Sequence, residues 1–134
     1  MSWTARLDGL AAAWLRFDAE HMPLFHALFH EGGGTTRPDA GLEPCLAALE
    51  AVLRGGKQAG EFTVGNVWTA ARFLLHGYGG VCFHGEGLVR DPQAPGAPLA
   101  AASWTHPEAP EFKRLVREVQ TLFRRSAGVR EDRT

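Results

Sequence analysis

Between Leu42 and Phe83 the order of apolar and polar positions changes character. Leu42, Cys45, Leu46, Leu49, Val52 and Leu53 recur at i, i+3, i+4 and i+7, the spacing of a single apolar stripe on an α-helix. Gly55-Gly56 reads as the end of that helix, and Gly60-Glu61-Phe62 as the turn after it. The next segment, from about Asn66 to His84, has apolar residues on nearly every side, with Arg72 and His76 among its few polar positions. A helix with so narrow a polar face must be covered on two sides. A short chain has difficulty covering it alone, so the pattern predicts a partner subunit or a bound apolar ligand.

The flanking segments extend the helical reading. Trp3 to Glu20 carries Leu7, Leu10, Ala11, Trp14 and Phe17 along one stripe. Pro23 cannot continue that hydrogen-bond ladder, so a kink or restart is predicted there, with a short helix through Leu24, Phe25, Leu28 and Phe29. Gly32 to Gly34 end it, and residues 32–41 read as a loop. Residues 85–109 hold Pro92, Pro95, Pro98 and Pro107, a long connection with room for one helical turn at Leu99–Ala102. Pro110 opens the last helix, whose stripe is Phe112, Leu115, Val116, Val119, Leu122 and Phe123. Gly128 closes it, and residues 128–134 read as a charged flexible tail. No run alternates convincingly as a strand. The expectation is an all-α bundle of about five helices in one domain, residues 1–127.

Composition agrees with a globular chain of 134 residues and one core: 45% of residues are apolar and 22% charged. The formal net charge of −1 excludes a polycation that binds nucleic acid through overall charge. The charge is unevenly spread. Residues 1–110 hold 7 Lys/Arg against 11 Asp/Glu, net −4, and residues 111–134 hold 7 against 4, net +3. Cys45 and Cys82 both fall in apolar helical patterns, which predicts small core residues in a reducing compartment rather than a disulfide. No secretory leader pattern and no uninterrupted apolar run of membrane-spanning length is present, so a cytoplasmic protein without a membrane partner is expected.

The side chains able to carry chemistry are few. His26 and His30 lie at i, i+4, the spacing of helical zinc ligands, but no His-Glu-x-x-His pattern accompanies them and no metal is assigned. Ser2, Ser103 and Ser126 stand in no nucleophile elbow. Cys82, near His76 and His84, lies in an apolar run where a thiol resists ionisation. The glycines at 32–34 and 77–80 fit no phosphate loop. Neither an enzyme nor a cofactor is expected. What remains is a binding cavity with Trp14, Phe17, Phe25, Phe29 and Trp68 as apolar lining, and His26, His30, Arg72 and His76 as orienting groups. Gly77, Gly79 and Gly80 either permit close backbone approach of a partner helix or end their own helix near His76.

Several of these stretches also resemble a known family. The run Leu7-Asp8-Gly9-Leu10, Trp14-Leu15-Arg16-Phe17, Glu20-His21-Met22-Pro23-Leu24-Phe25 and Leu28-Phe29 resembles the first helices of the C-terminal regulatory domain of TetR-family transcriptional repressors. Leu49, Val52, Leu53, Gly56 and Ala59-Gly60-Glu61-Phe62 resemble the helix and turn that follow, and Trp68 with Leu75-His76-Gly77-Tyr78 the helix after that. The resemblance spans residues 5–127 and implies a ligand-binding and dimerisation domain. It implies a small apolar or aromatic effector, and a homodimer formed by the last two helices. On that reading Phe73, Gly77, Gly80, Val81, Leu115, Val119, Leu122 and Phe123 form the dimer interface. The family's N-terminal helix-turn-helix domain has no counterpart in these residues, so DNA contact is expected only through such a domain. Two other readings stand beside it: an all-α dimeric interaction protein without a cavity, and a helical metal-binding domain using His26 and His30.

Overall fold

The computed structural model describes residues 1–26, 42–82, 89–91, 94–99 and 108–130, with side chains described for 1–21, 43–79 and 108–130. Among them are four helices: α1 (Trp3–His26), α2 (Leu42–Gln58), α3 (Val67–Cys82) and α4 (Pro110–Ala127). Among the described side chains the buried core is helical apart from Phe62 and Val64, which come from the turn between α2 and α3. α1 lies between α4 and α2, and α3 packs on α2 and reaches α4.

Two expectations change here. α1 is a single helix that continues through Pro23 to His26, where a kink or a second helix was expected. Proline removes one N–H from the ladder, and here that loss falls in the last turn, where little helix remains to be disrupted. The segment expected to hold no strands contains an antiparallel ribbon, β1 (Val89–Asp91) with β2 (Ala94–Leu99), which pairs Val89 with Leu99 and Arg90 with Pro98. A two-stranded ribbon leaves each strand one unpaired edge, which tolerates the missing proline donors. Leu99 belongs to β2 rather than to a helical turn, and residues 100–102 lie outside the described residues.

The buried side of α1 is Leu7, Ala11, Leu15 and Ala19, an i+4 row that keeps Leu7 and Ala11 of the expected stripe and leaves Leu10 and Trp14 partly buried against the core. The alanines let α1 press closely on its neighbours, and Phe17 turns outward. Against this row α4 places Phe112, Leu115, Val119, Phe123 and Ala127. Leu49 and Leu53 of α2, Ala71, Leu74 and Tyr78 of α3, and Phe62 and Val64 from the α2–α3 turn complete one continuous cluster. Each fully buried Leu or Phe removes enough apolar surface from water to contribute about 1.5–3 kcal/mol.

The α2–α3 turn fastens the chain to itself. α2 runs through Gly55 and Gly56 instead of stopping at them. Their role is steric: a Cβ on Gly55 would lie 2.3 Å from the Trp3 ring, and one on Gly56 would lie 2.1 Å from the Phe62 ring. Gly60 then turns the chain at φ 79°. The Glu61 carboxylate accepts the N–H of Trp3 and of Thr4, each at 3.2 Å, and caps α1 from far along the sequence. Those bonds, the Trp3 N–H foremost, hold the Glu61 carboxyl below the usual carboxylate range despite its partial desolvation. Ser2 Oγ adds a local cap by accepting the Ala5 N–H at 3.0 Å.

The same turn holds the end of α4. Gly128, at φ 67°, closes that helix with its own N–H to Arg125 O and the Val129 N–H to Arg124 O, a Schellman ending. Thr63 N–H donates to Gly128 O at 2.8 Å, Arg130 N–H donates to Glu61 O at 2.9 Å, and Phe62 bridges to Val129. Gly128 to Arg130, assigned to a flexible tail from sequence, are therefore part of the folded unit. Residues 131–134 lie outside the described residues. Along the α1–α4 seam Arg124 grips the Asp8 carboxylate with two donors, Nε to Oδ1 at 2.8 Å and Nη2 to Oδ2.

Candidate functional site

α3 begins at an Asn66 cap, whose Oδ1 accepts the Thr69 N–H at 3.0 Å. From there its sequence distributes apolar residues in all directions. Ala71, Leu74 and Tyr78 face the chain's own core, while Trp68 is 59% exposed and Phe73 is 75% exposed. Together with Thr69, Arg72, His76 and Gly77 these two rings line an open depression of about 510 Å³. The Arg72 guanidinium lies 3.7 Å from the Trp68 ring centroid and donates to Glu50 Oε1 at 2.7 Å. This fixes the Trp68 face and ties α3 to α2. A Cβ added to Gly77 or Gly79 would meet nothing within 4 Å, so the backbone is approachable there. The helix also continues past both glycines to Cys82, so they do not end it near His76.

A second group of side chains forms where α1 meets α3. Trp14 packs edge-on to Tyr78 at 5.4 Å and to Phe123 at 6.0 Å. Beside them the Tyr78 hydroxyl donates to Asp18 Oδ2. Burial pushes the Asp18 carboxyl up to about 6, with the Tyr78 hydrogen bond and the neighbouring His21 imidazole pulling the other way. His21 Nδ1 lies 2.7 Å from Phe17 O, and its ring stacks on the Phe17 ring at 4.0 Å. Burial, reinforced by the negative charge of Asp18, raises the Cys45 thiol as well, the opposite of what a nucleophile needs.

The expected ligand-binding set is thus divided. Trp68, Arg72 and His76 come together on the outer face of α3, whereas Trp14 belongs to the inner α1–α3–α4 contact and Phe17 is exposed on α1. The side chains of Phe25 and His26, and all of Phe29 and His30, lie outside the described residues. Among the described residues no three His, Cys, Asp or Glu side chains gather as a metal site.

The expected dimer interface divides as well. Phe73, Gly77 and Leu122 are exposed, but Leu115, Val119 and Phe123 are buried in this chain's own core against α1 and have almost no surface left for a partner. The pattern was read correctly as apolar and assigned to the wrong neighbour. Gly80 and Val81 are described only in their backbone, as part of α3. Asp18 and Tyr78 were missed as a pair. The signal available was a carboxylate four residues from Trp14 and three from His21, on the side of α1 where apolar residues were expected.

No helix among the described residues is long and apolar enough to cross a membrane. Comparison of the chain with models of protein families, with curated proteins and with solved structures finds no match.

Proposed function

We propose that this chain is the effector-sensing and dimerisation domain of a TetR-like transcriptional repressor, with a small apolar or aromatic molecule as effector. The observation that carries the reading is the outer face of α3, where Trp68 and Phe73 remain in water although the same helix already buries Ala71, Leu74 and Tyr78. Two large rings on one open face, beside glycines that admit a close backbone, suit a second copy of the same helix across a two-fold axis. The partner in this reading is a second copy of the chain, and any DNA contact belongs to a domain outside these residues. An effector would act by binding one arrangement of the two copies more tightly than the other. Light scattering at micromolar concentration tests the pairing. A dimer that becomes a folded monomer on Phe73→Asp supports it, and a monomeric parent chain ends it.

One observation favours a second reading, an all-α dimeric interaction protein without a cavity. The depression on α3 and the one between α1 and α4 are open to solvent, and the centre of the bundle is filled by Leu7, Leu15, Leu49 and Leu53. A thermal-shift screen of apolar compounds separates the readings, because a ligand that binds only the folded state raises Tm.

A further inference from the structure

The seam between α1 and α4 carries a depression of its own, apart from the outer face of α3. Ala12 and Arg16 of α1, Phe112, Lys113 and Val116 of α4, and Glu108 just before α4 line about 310 Å³ of open space. Ala12 with Arg16 and Phe112 with Val116 are i, i+4 pairs, so each helix turns one continuous face toward it. Its floor is apolar, for Phe112 is buried and Ala12 and Val116 are half-buried. Its rim is cationic. Arg16 and Lys113 are exposed, and among the described residues they form no ion pair, whereas Arg72 pairs with Glu50 and Arg124 with Asp8. Glu108 has an interaction of its own and sets one negative charge against these two, which leaves the depression with one positive charge over. Arg117, one turn beyond Lys113, adds to it, within a stretch (residues 111–134) of net charge +3.

We infer that the effector is a small apolar carboxylate, seated in this depression with its hydrocarbon part on Ala12, Phe112 and Val116 and its carboxylate between Arg16 and Lys113. This deepens the effector-binding reading above and rests on it. A volume at the lower end of small-molecule sites, about 300–1,000 Å³, suits a compact ligand, and a single acidic group matches the one charge left over. A guanidinium such as that of Arg16 offers paired donors to the two carboxylate oxygens, and Lys113 adds a point charge from the other helix. An exposed ion pair contributes little alone, so the apolar floor supplies much of the affinity and the two cations supply the choice of charge.

The test is a chemical-shift titration of the isotope-labelled full chain at neutral pH with naphthoate and with naphthylmethylammonium, which share a ring system and carry opposite charges. Naphthoate is expected to bind saturably below about 1 mM and at least roughly tenfold more tightly than the ammonium. The amides of Ala12, Arg16, Lys113 and Val116 are expected to shift most. Arg16→Gln and Lys113→Gln replace exposed side chains, and each is expected to weaken naphthoate by roughly threefold or more while the circular dichroism stays that of the parent. Phe73→Ala, on the separate α3 depression, is expected to leave naphthoate binding unchanged. Absence of saturable binding, equal binding of both ions, indifference to both Gln variants, or shifts confined to α3 each overturns the inference. Light scattering on the same samples reports the dimer separately. A monomeric chain that binds naphthoate through Arg16 and Lys113 ends the dimer reading and leaves this site standing, and equal binding of both ions leaves an apolar effector standing without its charge preference.

Discussion

Replacing Asp18 with Asn should stabilise this protein at neutral pH, the reverse of the usual outcome for a hydrogen-bonded buried group. Asn keeps an acceptor for the Tyr78 hydroxyl and removes the charge that burial disfavours. The folded-state carboxyl titrates near 6 against an ordinary value of 3.8. Its folded form therefore holds the proton more tightly than its unfolded form, and the stability linked to that proton is fully present below the ordinary value. It is lost as pH rises through 6. The full span is about 3 kcal/mol, and the part lost between about pH 5 and about pH 7.5 is about 1.4 kcal/mol. Urea denaturation of both proteins at those two pH values isolates the effect, because every other carboxylate cancels in the difference between them. The stability advantage of Asp18→Asn should grow by about 1.4 kcal/mol from the lower pH to the higher. An advantage that stays constant with pH, or an Asn variant less stable at both, would refute the assignment of burial as the dominant influence on Asp18.

Three further outcomes follow from the packing. Gly56→Ala drives a Cβ to within 2.1 Å of the Phe62 ring and should cost about 1–3 kcal/mol in urea denaturation, although alanine is the better helix former. Glu61→Gln should lower Tm at neutral pH by weakening the cap on α1. Because the folded-state value of Glu61 is depressed, its contribution is present above the ordinary carboxylate range and lost as pH falls through the folded value, so the two melting curves should converge in acid. Phe123→Ala should cost about 3–5 kcal/mol, whereas Phe73→Ala should leave the unfolding free energy of the monomer in urea within about 0.5 kcal/mol of its parent, since one ring fills the core and the other faces water.

α4 was the most legible element, because its charged residues occupy one side so fully that Phe112, Leu115, Val119 and Phe123 had only one direction left for burial. Leu122 was the exception, adjacent to Phe123 and pointing outward. α1 and α3 were legible as helices but not in their facing. Periodicity weighs a large ring more than a small methyl, yet close helix packing selects Ala19 and Ala71 for the inside and leaves Phe17, Trp68 and Phe73 outside. The glycines illustrate the same limit. Gly55 and Gly56 carry a stop signal locally, and only the approach of Trp3 and Phe62, distant in sequence or around a turn, reveals why the helix passes through them. Of the candidate site, Trp68, Arg72 and His76 line one depression on α3, four residues apart along that helix. The Asp18–Tyr78 contact joins residues sixty positions apart, so the sequence marks only its α1 end, a carboxylate on the side where apolar residues are expected.

Glu61 gives the fold an unusual mechanical arrangement. Its side chain holds the opening turn of α1, and its main-chain carbonyl holds Arg130 just beyond α4. Tension applied between the two ends of the described chain would therefore converge on one amino acid before it reached the long α1–α4 seam. Rupture would begin at that clasp and peel inward, with the leucine-filled centre the last part to yield.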